Sequence, residues 1–182
     1  MAANFKMVNP VLGAPSPATL TATTQQWPLG FEAAFADQNS GSANVGCGKF
    51  VYVQGGTVSA PQSAGQAVQL VSGFYAQLAG SANTATVGPL GIAAGAISAS
   101  NVFGWVQVQG VCDYVRGASA GDFGAVGAPV FIGTTNGQIQ TTAGATGYLI
   151  HGAFVAATGA SVAKSTAQSL ILNYPNYNKV NL

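Results

Sequence analysis

Charge is what this sequence has least of. Only 5% of its 182 residues are charged, five basic and four acidic, against roughly 25% in an ordinary soluble domain. No charged residue stands between Lys49 and Asp113. The polar surface is therefore built from Ser, Thr, Asn, Gln and backbone. A protein that must stay apart from its neighbours keeps like charges for repulsion. This one has few, which points to a surface covered by partners or rich in hydroxyls and amides. Scattered cations and a net charge of +1 give no basic patch, so the composition argues against nucleic acid, whose phosphates need clustered Lys and Arg.

Titratable chemistry is equally scarce. His151 is the one histidine, and Cys47 and Cys112 are the only cysteines. The thiols read as small buried hydrophobes rather than as a disulfide scaffold. With no second histidine and no C-x-x-C spacing, no metal site is expected. GASAG, from Gly117 to Gly121, fits the pattern G-x-S-x-G, and Asp122 and His151 follow Ser119 in triad order. That motif needs a strand, a sharp turn and a helix. DFGAVGAPVFIG cannot make the helix, so the match is read as chance in a Gly-, Ala- and Ser-rich chain. Gly48-Lys49 resembles the end of a phosphate loop, but Ala43 and Phe50 break the signature. Asp113 and Asp122 are the nearest pair of acids, and Asp113 is as well explained by the wet side of a strand. No enzyme and no cofactor is expected.

Helix formers are also few. One Glu and four Lys serve the whole chain. No apolar run like that of a signal peptide opens it. Leu90 to Val108 is uncharged and of membrane-spanning length, but its glycines, serines and closing period-two pattern argue for strand. No membrane partner is expected.

What is present is alternation. In FGWVQVQGVCDYV (Phe103 to Val115), Val106, Val108, Cys112 and Tyr114 point one way, and Gln107, Gln109 and Asp113 the other. The reading is a half-buried strand with an amide-bearing wet face. Gly110 interrupts it, as at a bulge. FVYVQ (Phe50 to Gln54) is a second strand. Ala67 to Leu78 fits strand or helix, and Gly73 tips it toward a strand followed by a loop. PVFI (Pro129 to Ile132) and QIQT (Gln138 to Thr141) flank Asn136-Gly137, a hairpin signal. YLIHGAFVAA (Tyr148 to Ala157) and SLILNY (Ser169 to Tyr174) are further strands, followed by a polar, aromatic tail. The sum is an all-β fold, a compact β-sandwich or β-barrel of about seven to nine short strands.

Residues 1–44 read as an extended N-terminal arm and 45–182 as the body. Pro10, Pro15, Pro17 and Pro28 exclude a long helix or a central strand from the arm. Its bulky groups, Phe5, Met7, Trp27, Leu29, Phe31 and Phe35, are unlike a disordered tail. Such an arm docks on its own body or on a neighbour. Phe31 to Asp37 (FEAAFAD) fits a short helical turn.

Taken in order, LGFEAAFADQNSGSANVGCGKFVYVQGGTVSA, FGWVQVQGVCDYV, GDFGAVGAPVFIG, GYLIHGAFVAA and SLILNYP resemble the small virion proteins of tailed phages, and among them the capsid decoration (cement) proteins. The likeness covers roughly Leu29 to Tyr174. It implies a β-rich structural protein on the outer surface of an icosahedral head, bound to the major capsid protein, stabilising contacts between its subunits and working as a dimer or trimer. Trp27, Pro28, Leu29 and Phe31 are the arm residues expected at the capsid contact. The alternative is a phage tail, fibre or host-receptor (glycan) binding module, with Trp105 and Tyr114 as candidate glycan platforms.

Overall fold

A computed structural model describes residues 5–7, 21–37, 47–57, 59–80, 88–117, 125–133, 135–141, 148–156 and 167–179. These hold eleven strands and no helix: β1 (Phe5–Met7), β2 (Glu32–Asp37), β3 (Cys47–Gly55), β4 (Ala67–Val71), β5 (Tyr75–Leu78), β6 (Gly88–Ala93), β7 (Phe103–Arg116), β8 (Pro129–Ile132), β9 (Ile139–Gln140), β10 (Tyr148–Val155) and β11 (Ala167–Lys179). The fold is all-β, as expected from the alternation.

The strands run in the order β1-β2-β3-β5-β4-β6-β7-β11-β10-β8-β9, and β3 also pairs with β7, and β6 with β11. Those two extra pairings close a six-strand barrel, β3-β5-β4-β6-β11-β7. β1 and β2 extend it on one side, and β10, β8 and β9 on the other. β6 sits at a fork. Its C-terminal part pairs with β7 at Gln107 and Val106, and its start pairs with β11 at Asn176 and Tyr177.

Alternation decides which layer each side chain enters. From β3, Val51 and Val53 enter the barrel lumen with Val68, Ala76, Val106 and Val108. Phe50 and Tyr52 turn outward and join Phe35, Phe103 and Trp105 in an aromatic layer. A third, aliphatic layer lies between the barrel and β8–β10, where Leu90, Ile92, Val130, Ile150, Leu170 and Leu172 are all nearly inaccessible. Cys112 is buried there too. The Cys47 side chain lies outside the described ones.

β7 serves all three layers because its ladder is irregular: the register shifts against β3 between Gln107 and Gln109, and against β11 between Cys112 and Val115. Gly110 takes φ +97°, a conformation that side chains beyond glycine rarely hold. Before it, Trp105 faces the aromatic layer and Val108 the lumen. After it, Cys112 and Val115 face the aliphatic layer. Gln107, expected on a wet face, is instead fully buried. Its amide has three partners: Nε2 donates to the Gln109 carbonyl (3.2 Å) and the Val111 carbonyl (3.0 Å), and Oε1 accepts from the Tyr114 hydroxyl (2.9 Å). The buried glutamine stitches the bulge, and satisfied hydrogen bonds are what make its burial affordable.

Three local expectations change. Residues 32–37 form β2, not a helical turn, paired with β3 from Glu32↔Val51 to Ala36↔Cys47. Phe31 and Phe35 are four apart, a spacing that suits one helix face and one strand face alike, and pairing with β3 settles it. Ala67 to Leu78 is a hairpin, β4 and β5 in antiparallel register around residues 72–74. The last strand does not stop at Tyr174 but runs to Lys179. The Asn136-Gly137 hairpin forms where expected, joining β8 to β9 with Gly137 at φ +76°.

Of residues 1–44, the described parts are 5–7 and 21–37. Within them β2 is a paired member of the sheet, and Ala22 bridges Phe103.

Candidate functional site

The barrel is open at the corner where β2 and β5 leave β3. β2 pairs with β3 only as far as Val51, and β5 meets β3 only at Gln54 and Gly55. At this mouth lies a cleft of about 310 Å³. Its floor is apolar: Val51, Leu70 and Val108 from the lumen, with Leu90 and Pro175 beside them. Its rim is Glu32, Phe74, Pro89, Tyr174 and Asn176, all exposed. A concave, mainly apolar site with a few polar groups at a barrel mouth is a common form of small-ligand site.

Irregular backbone delivers the two aromatic rims. Phe74 sits in the β4–β5 turn at φ +59°, and Tyr174 in β11 at φ +46°. With Ser59, they are the positive-φ residues other than glycine among those described. For bulky side chains this is a costly region, and such strain concentrates at ligand sites. Tyr174 stands on a bulge. Asn173, Tyr174 and Pro175 separate Leu172 from Asn176 on β11, while Gly152 alone separates the partner residues Ala153 and His151 on β10. Bulges of this kind re-aim a side chain. Phe74 is held by a close approach: a Cβ on Gly30 would meet its ring at 2.5 Å.

Both rings stay wet, Phe74 at 44% and Tyr174 at 44% exposure. The Tyr174 hydroxyl donates to Glu32 Oε2 at 3.3 Å, and Lys49 Nζ stands 5.6 Å over the Tyr174 ring. The cleft thus combines ring faces, one carboxylate, one phenol and one amide, with an ammonium over the tyrosine ring.

The residues singled out in the sequence fall elsewhere. Trp27, Leu29 and Phe31 are half-buried on the chain's own barrel, against the aromatic layer. Trp27 stacks on Phe31 at 5.1 Å, and Phe31 meets Trp105 edge-on at 6.2 Å. Pro28 is exposed between them. Trp105 is 1% exposed and offers no platform to a glycan. Tyr114 is half-buried and bonded to Gln107. His151 is exposed on β10. Ser119 and Asp122 lie outside the described residues, as does the Asp113 side chain. Arg116 Nε donates to the Ala64 carbonyl at 3.0 Å. Among the described residues, no group of three or more His, Cys, Asp or Glu side chains lies together, and no helix is long and apolar enough to cross a membrane. Residues 90–108 are strand, turn and strand.

Tyr52 lies in the aromatic layer. Burial pushes its phenol above the ordinary value of 10.0, and the Gln26 backbone N–H, donating to its oxygen at 3.2 Å, pulls partly back.

A second surface has a different shape. Pro129, Phe154, Ile171 and Val111 are direct cross-strand partners on β8, β10, β11 and β7. They make a straight apolar row across four strands. Phe154 and Ile171 are each 46% exposed and Pro129 is exposed, while Val111 is half-buried. Comparison with known proteins adds nothing to either surface: no family model, no characterised protein and no solved structure matches the chain.

Proposed function

We propose that this chain is a structural virion protein, a decoration or cement protein that seats on the outer surface of a tailed-phage head. It stabilises contacts between subunits of the major capsid protein and works as a dimer or trimer. The observation that carries the reading is the uncharged row Pro129, Phe154, Ile171 and Val111 across four strands, exposed at its first three members and half-buried at Val111. Contiguous exposed apolar surface marks an interaction site. Burying one such side chain contributes about 1.5–3 kcal/mol, modest for a single contact. Repeated over many symmetric sites, modest contacts suffice. The 5% charge content agrees with a protein that spends its life against others. We place the shell contact on this row rather than on Trp27, Pro28, Leu29 and Phe31, three of whose side chains lie against the chain's own barrel.

The test is occupancy. Particles of the parent phage carry the chain in hundreds of copies on this reading, measured against major capsid protein. Tens or fewer would favour a tail or fibre part, and absence from the particle would overturn the reading. Phe154→Asp with Ile171→Asp leaves the fold intact, because both side chains are already wet. It lowers shell occupancy by about tenfold or more, since a charge must now be desolvated at the contact.

A further inference from the structure

We infer that the barrel-mouth cleft is a binding site for a neutral saccharide. Four observations converge there. The first is strain: Phe74 and Tyr174 both hold left-handed backbone, and both rings remain 44% exposed at the same opening. The close approach to Gly30 and the bond to Glu32 hold the two rings in place but leave them in water, and strain of this kind is held where it orients a ligand. The second is the β11 bulge, which brings Tyr174 to the rim above buried Pro175.

The third is chemistry. A pyranose ring has apolar C–H faces and an equator of hydroxyls. Phe74 and Tyr174 supply flat apolar surfaces for the faces. Glu32 and Asn176 stand on the same rim for the hydroxyls. The Glu32 carboxylate has acceptor capacity beyond the single bond from Tyr174, and the Asn176 amide both donates and accepts. The fourth is charge. Lys49 Nζ lies over the Tyr174 ring, yet Lys49 does not line the cleft. The ammonium therefore stands beside the mouth rather than in it. It satisfies one ring face and makes the mouth a poor host for an organic cation. A neutral polyol meets no such penalty. The volume, about 310 Å³, lies at the small end of ligand sites and suits a mono- or disaccharide.

Saturation-transfer NMR on the full chain tests this. The probes are glucose, galactose, mannose, N-acetylglucosamine and their disaccharides, with a proline-rich hexapeptide as the rival occupant of an aromatic cleft. Transfer to at least one saccharide is expected. Phe74→Gly and Tyr174→Gly each weaken it by about tenfold or more. Glycine fits both backbone conformations, so these variants fold, and circular dichroism checks that they do. Glu32→Gln weakens binding several-fold. Tyr75→Ala, in a separate hollow with Gln54 and Gln77, leaves it unchanged. No transfer to any saccharide overturns the inference. So does transfer that survives both glycine variants, or binding of the peptide in place of the sugars. The assay needs no particle, so its outcome is independent of the shell reading.

Discussion

The two outer layers of the molecule hold their strands by different means. On one side, residues 27–35 cover β3 and β7 with large rings: Trp27, Phe31 and Phe35 against Phe50, Tyr52 and Trp105. On the other, β10 and β11 pair along most of their length over branched aliphatics such as Val130, Ile150, Leu170 and Leu172. The difference follows from how much ladder each segment has. Residues 21–31 form no strand and touch the body through few backbone bonds, such as Gly30 N–H to the Tyr52 carbonyl and Ala22 to Phe103. A segment with so few ladder bonds needs more contact from each side chain, and aromatic rings bury the most. Strands with a full ladder manage with leucine and valine.

The sharpest way to break this comparison is to truncate one anchor on each side. Trp105 meets Phe31, Phe35 and Tyr52 edge-on. Trp105→Ala is expected to cost about 4–5 kcal/mol and Leu170→Ala about 2–4 kcal/mol, read from urea unfolding. The excess is the ring–ring geometry, worth roughly 0.5–1.5 kcal/mol per pair beyond area. Equal costs would mean that the two layers behave alike.

Next comes the hinge between them. Gln107→Leu fills the space but removes the donor to the Gln109 and Val111 carbonyls and the acceptor for the Tyr114 hydroxyl. A loss of about 2–3 kcal/mol is expected. A neutral result would show that the bulge holds without its stitch. Gly110→Ala is expected to cost about 1–2 kcal/mol, the left-handed penalty at its φ of +97°.

The smallest effect is in pH. Burial raises the Tyr52 phenol above 10.0 in the folded state. A raised value means that the neutral form is favoured by folding. Its contribution is fully present below the unfolded value and is lost as pH rises through the folded one. Tyr52→Phe should therefore flatten the fall in urea midpoint above about pH 10. Identical alkaline limbs in wild type and variant would show that the aromatic layer does not shield Tyr52.

Much of the strand pattern could be read before the structure, because alternation is direct physics. β3, β7 and the β8–β9 hairpin stand where Val51/Val53, Val106/Val108 and Asn136-Gly137 placed them. What escaped had no periodic signal. Gln107 reads as wet because glutamine is polar, and only its three bonds explain its burial. Residues 32–37 read as helix because a four-residue spacing serves both periods. β11 runs past Tyr174, where the SLILNY pattern ends, and Pro175 sits at its bulge. The cleft was illegible: nothing in the stretches around Phe74 or Tyr174 announces left-handed backbone at an aromatic residue.

The fork at β6 also sets an order of events. β11, the last described strand in the chain, pairs with β6, β7 and β10. Until residues 167–179 leave the ribosome, β6 and β7 expose backbone that only β11 satisfies, and the barrel cannot close its six-strand ring. The Glu32–Tyr174 contact, 142 residues apart, is made equally late. Closure joins distant parts of the sequence, which slows folding. A chain in which β11 has not yet paired carries open strand edges, an aggregation hazard that ends when that strand arrives.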